Sequence, residues 1–108
     1  MVKHFYVIKD EIVGFMEPVL EVNSDIAIRN FKKSMFKLLT EEELCSVPID
    51  DFNLYEIGTF NLNSGEITSC EPKLVYTGVR CIRDFDNYMA KRKNMVMDKK
   101  EDMPNEIS

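Results

Sequence analysis

Tryptophan is absent from this chain, histidine occurs once, and glycine and proline occur four times each. The lone His4 leaves no second imidazole for a zinc site, and no paired nucleophile motif accompanies it. The few glycines show neither the spacing of a phosphate-cradling loop nor that of a nucleophile elbow. Cys45, Cys70 and Cys81 are odd in number and widely spaced, with no Cys-x-x-Cys pair, which predicts free thiols in a reducing compartment. The acidic runs Asp50-Asp51 and Glu41–Glu43 lack spaced partners for metal or acid–base work; they read as a helix start and a solvated loop. These absences predict a nonenzymatic chain that needs no metal and no cofactor. Long apolar runs are also missing, so no segment is expected to span a membrane. Met1–Asp10 lacks the charged-then-apolar layout of a signal peptide, and the expected compartment is the cytoplasm.

Charge of one sign is in short supply only on average. The chain has 14 Lys and Arg against 19 Asp and Glu, a net charge of −5, which argues against indiscriminate nucleic-acid binding. The two signs are segregated, however. Residues 24–39 carry net +3, residues 40–71 carry eight acids and no Lys or Arg, and residues 72–100 carry net +5. A chain so divided can present a basic surface despite its acidic total.

The elements follow from the spacing of apolar residues. His4–Ile8 and Ile12–Met16 read as two strands of a hairpin across Lys9-Asp10-Glu11, with Gly14 marking a bulge or close approach and Pro18 ending the second strand. Asn23 and Ser24 are N-cap residues, and Ala27, Ile28, Phe31, Met35, Leu38 and Leu39 then recur at three and four, which predicts a helix over roughly 24–39. Leu54–Phe60 and Glu66–Cys70 read as a second hairpin around Asn61–Gly65. Pro72 is expected to break the pattern, with one or two further strands through Leu74–Tyr76 and Val79–Ile82. Asp84 then caps a second helix whose stripe is Phe85, Tyr88, Met89, Met95 and Val96. The expected fold is a single α+β domain over residues 1–97, a small, mostly antiparallel sheet packed by one or two helices, followed by a charged flexible tail over 98–108. Phe5, Val7, Phe31, Leu38, Leu54 and Ile57 are expected to be buried.

Two sets of cations are the candidate site. Arg29, Lys33 and Lys37 are spaced four apart and share a helix face, with Lys32 beside them. Such a stripe can neutralise phosphates, although every amphipathic helix also has a solvated face. The second set is Arg80, Arg83, Lys91, Arg92, Lys93, Lys99 and Lys100, interleaved with Tyr76, Phe85 and Tyr88. Aromatic rings beside cations are what single-stranded nucleic acid uses, because every base has a face to stack on. Of the three rings, Phe85 reads as part of the buried stripe and Tyr76 as the more open one. The candidate nucleic-acid-binding residues are therefore Arg29, Lys32, Lys33, Lys37, Tyr76, Arg80 and Arg83.

The wording of the middle of the chain is distinctive. Asn23-x-x-x-Ala27-Ile28-Arg29-x-Phe31, followed by Leu54-Tyr55-Glu56-Ile57-Gly58-Thr59-Phe60 and then Ser64-Gly65, resembles the small nonstructural protein from the fifth open reading frame of gokushoviruses, which are bacteriophages with single-stranded DNA genomes. The likeness spans roughly residues 5–78. The chain departs from that pattern at Glu17-Pro18-Val19, where relatives often carry paired prolines and a Phe, and at Asn61, where they often carry an acid. The resemblance implies a nonstructural protein of the host cytoplasm, acting in DNA replication or packaging; it supplies no set of functional residues. Two functions fit these readings. One is a single-stranded-DNA-binding accessory factor. The other is a protein–protein adaptor whose acidic segment 40–71 docks a replication initiator, a procapsid or a host factor without touching DNA. A homo-oligomer is expected from an exposed strand edge.

Overall fold

A computed structural model of the chain describes residues 1–41 and 48–102, with side chains as far as Lys93. Glu42, Glu43 and Cys45, and the tail beyond Asp102, lie outside the described residues. No helix among the described residues is long and apolar enough to cross a membrane.

The β-branched and aromatic run at the start of the chain forms β1 (Val2–Asp10). Asp10 ends it, because its carboxylate accepts the backbone N–H groups of Ile12 and Val13 at 2.9 and 3.3 Å and so closes a turn. The chain returns as the short β2 (Gly14–Phe15) and, past Pro18, as β3 (Val19–Glu21), both antiparallel to β1. The expected strand over Ile12–Met16 is thus only two residues long, and Gly14 opens it with a φ of 132° rather than forming a bulge. β3 is a further strand beyond the two that the apolar spacing predicts for this end of the chain.

Asn23 caps α1 (Ser24–Thr40), its side-chain oxygen accepting the N–H of Ile26 at 2.9 Å. A 3₁₀ turn at Ile49–Asp51 leads into β4 (Phe52–Asn61), which pairs with β1 on one side and with β5 (Ile67–Thr77) on the other. The hairpin between β4 and β5 closes on Asn61, whose side chain accepts the N–H groups of Asn63 and Ser64. The last element is α2 (Gly78–Asp102).

The expected elements of the last third of the chain need correction here. Pro72 does not end a strand: β5 runs through it, because β5 is a sheet edge where a missing N–H costs no ladder bond. Val79–Ile82 is helix rather than strand. Its cap is Thr77, whose hydroxyl accepts the N–H of Arg80 at 3.1 Å, and not Asp84. The residues 98–102 assigned to the tail lie within the bounds of α2.

Among the described residues the five strands form one antiparallel sheet in the order β2–β1–β4–β5, with β3 also on β1, and two helices complete an α+β fold. Both helices bury residues against one face. Tyr6, Leu54 and Tyr76 from the sheet meet Ala27, Phe31 and Met35 of α1 and Cys81 of α2, with Ile49 and Phe52 at the end of the layer. Of the expected core, Val7, Phe31 and Leu54 are buried; Phe5, Leu38 and Ile57 are half-buried. Ile57 sits at a register shift between Glu56 and Gly58, so it has no partner of its own across the ladder.

The other sheet face carries no helix. Phe5 and Phe60 meet edge-on at 6.3 Å, Phe15 and Tyr55 at 6.0 Å, and Leu74 is exposed opposite Tyr55. Of the two lysines that β1 places on this face, Lys3 lies opposite Phe60 and Lys9 is paired with Glu11 at 3.2 Å. Glu11 also accepts hydrogen bonds from the Asn53 amide at 2.8 Å and the Tyr55 hydroxyl at 2.7 Å. These bonds, led by the Asn53 amide, hold the Glu11 carboxyl down at about 2, from an ordinary value of 4.5. A depressed carboxylate contributes stability that is present above its unfolded pKa and is lost as pH falls through the folded one. Glu11→Gln is therefore expected to leave the melting temperature less dependent on pH between about 4.5 and 2 than in the wild type. Melts across that window check this; identical pH profiles would contradict it.

Candidate nucleic-acid interface

The cation stripe of α1 exists as read. Arg29, Lys33 and Lys37 are exposed, on the side of the helix opposite the buried Ala27, Phe31 and Met35. Among the described residues none of the three has a carboxylate within ion-pair distance. Their charge is therefore open to solvent and to anions. Arg80 and Arg83, one turn apart on α2, are likewise exposed and make no ion pair among the described residues.

Lys32 is placed differently. Its ammonium pairs with Asp84 of α2 at 3.1 Å and lies over the Tyr76 ring at 5.4 Å, while the Arg80 guanidinium lies over the same ring at 5.5 Å. Asp84 also accepts the Tyr76 hydroxyl. That hydrogen bond first, and the Lys32 ammonium after it, pull the Asp84 carboxyl below its ordinary value. An ionised Asp84 thus neutralises Lys32 and joins the two helices across the end of β5.

Tyr76 is the clearest correction to the expected site. The ring is 4% exposed, and Phe31 meets it edge-on at 5.7 Å. Burial, and then the bond to Asp84, raise its hydroxyl pKa, so it stays a neutral donor. No base can stack on a ring already enclosed by Phe31, Lys32 and Arg80. The physical reason is a register shift between Leu54 and Tyr55, which pairs Leu54 with Tyr76 but Tyr55 with Leu74. The extra residue, Val75, turns Tyr76 onto the helix-covered face, whereas strict alternation would have kept it with Leu74. Cys81 lies in the same cluster, fully buried, and burial pushes its thiol up to about 11.

A family model described as Phage ORF5 protein matches residues 3–81 of the chain. This chain belongs to the Phage ORF5 family. The match covers every strand, α1 and the first residues of α2, so four exposed members of the candidate site, Arg29, Lys33, Lys37 and Arg80, fall inside it and Arg83 lies just beyond. No curated protein and no solved structure matches this ORF5 chain.

The remaining aromatics of α2 divide. Phe85 is half-buried and packs edge-on against Phe36 of α1 at 5.1 Å, in keeping with its place on the apolar stripe. Tyr88 and Met89, expected on that stripe, are 46% and 42% exposed. Only the first turns of α2 lie against the sheet and α1; residues 86–93 are all exposed. Periodicity alone does not say where a helix leaves the body it packs on, so the exposure of Tyr88 is not legible from its place on the stripe.

Proposed function

We propose that this phage ORF5 protein is a nonenzymatic single-stranded-DNA-binding accessory factor in genome replication or packaging. The observation that carries the reading is the outward face of α1, where Arg29, Lys33 and Lys37 stand exposed and unpaired among the described residues. Three cations on successive turns can each neutralise one phosphate of a strand laid along the helix, and Arg80 and Arg83 extend the positive surface onto α2. Phosphate contacts of this kind position a strand without reading its sequence. A fluorescence-anisotropy titration of a labelled single-stranded oligonucleotide at low salt tests it: saturable binding supports the reading, and no binding removes it.

The uncovered sheet face supports a second reading, in which the chain acts through protein contacts. Among the described residues, acids of the 40–71 segment are spread along β4: Asp50 and Asp51 precede its start, Glu56 lies within it and Glu66 lies past its far end. The aromatic sheet face forms one patch, with Phe15 and Leu74 each about half exposed and the Lys9 charge already neutralised, which suits a second copy of the same apolar face. Light scattering is then expected to give more than the 12.6 kDa monomer mass, and a Phe15→Asp, Leu74→Asp double mutant to give the monomer. Monomer mass for the wild type at high micromolar concentration would contradict it.

A further inference from the structure

We propose that Tyr88 is a nucleobase-stacking residue set beside the cationic face of α1. The inference rests on the single-strand-binding reading and supplies the base contact that Tyr76 cannot make.

Tyr88 combines exposure with support. Its ring is 46% exposed, yet it is not adrift in solvent. Phe36 of α1 backs it at 5.7 Å with the two planes tilted by 36°, and Phe85 holds Phe36 from its other neighbour position at 5.1 Å. The outer end of the ring is held as well: Arg92, one turn along α2, donates to the Tyr88 hydroxyl at 3.2 Å. A ring braced at both ends loses little further freedom when a base settles on it.

The neighbours are those a nucleotide needs. Phe36 lies between Lys33 and Lys37 in the sequence of α1, so the ring it supports borders the phosphate stripe. Arg92 brings a cation to the hydroxyl side, and Lys91 and Lys93 are exposed beside it. A strand that places phosphates on Lys33 and Lys37 can turn one base toward Tyr88. The ring stacks any base, so the ligand class is single-stranded nucleic acid without sequence preference. Tyr88 falls outside the family-matched residues 3–81.

The absence of tryptophan makes the test direct, because Tyr88→Trp places a single indole at the proposed site. Oligothymidylate is expected to quench that fluorescence on binding, while an abasic deoxyribose-phosphate oligomer of the same length binds without quenching. Tyr88→Ala should weaken oligothymidylate binding by about 5- to 150-fold, the range for loss of one stacked base, with the salt slope unchanged. Tyr88→Phe should keep most of the affinity. If Tyr88→Ala and wild type bind oligothymidylate alike, with no quenching in the Tyr88→Trp variant, the inference is overturned while the DNA-binding reading stands. If the wild type binds neither oligomer, both fall together.

Discussion

Gly78→Ala is expected to cost more stability than any other single-methyl addition in the described chain. A Cβ at this position would lie 1.8 Å from the Ile49 carbonyl oxygen and 2.4 Å from that of Phe52. Both are backbone atoms, so neither can rotate away as a side chain would. The site is crowded because three elements meet there: the 3₁₀ turn, the start of β4 and the first residue of α2. Asn53 accepts the Gly78 N–H at 3.2 Å and fixes the approach. Relieving the overlap requires moving α2 away from the turn, which strips cover from Ile49 and Cys81. A cost of about 3 kcal/mol, at the upper end of overpacking, is expected. For a chain of this size that lowers the melting temperature by roughly 12–24 °C. Circular dichroism melts decide it, and a shift of a few degrees would mean that α2 does not sit where it is described.

The second large effect concerns binding. Lys33→Glu, Lys37→Glu should sharply weaken the affinity for single-stranded DNA. Each lost phosphate contact removes about 0.7 from the slope of log K against log salt, so two remove about 1.4. At 0.1 M salt that corresponds to a loss of about 25-fold, before any repulsion from the new carboxylates is counted. The melting temperature should hardly move, because exposed substitutions usually stay within about 0.5 kcal/mol. Lys32→Ala should behave in the opposite manner: it breaks the pair with Asp84 and the contact over Tyr76, and takes away little charge that DNA could use. Equal losses for the two variants would contradict the division between outward and inward cations.

What could be read beforehand, and what could not, follows from where the information sits. The first helix was legible because its cap, Asn23, and its repeat at three and four are local to it. The β4–β5 hairpin was legible because Asn61–Gly65 is local turn chemistry between two β-rich runs. The far end of β5 was not. Pro72 and Gly78 look alike as breakers, yet Pro72 lies on a sheet edge, where nothing depends on its missing N–H, whereas Gly78 begins a helix. Val79–Ile82 carries β-branched residues that favour a strand, and the hydroxyl of Thr77 at the cap overrides them. Thr77 was the available signal for that boundary.

The candidate site divides in the same way. Arg29, Lys33 and Lys37 depend only on helical spacing, so four-residue intervals were enough. Lys32 and Tyr76 depend on a tertiary contact with Asp84, and on a one-residue register shift at Val75 that no window of sequence reveals. Tyr88 depends on where α2 stops packing, which is set by Phe36 on the other helix.

The most direct test of the central claim is the salt dependence of wild-type binding to single-stranded DNA. If Arg29, Lys33, Lys37, Arg80 and Arg83 each neutralise one phosphate, log K should fall against log salt with a slope of about −3.5. Binding that does not change with salt, or no binding at the lowest salt, would contradict the account.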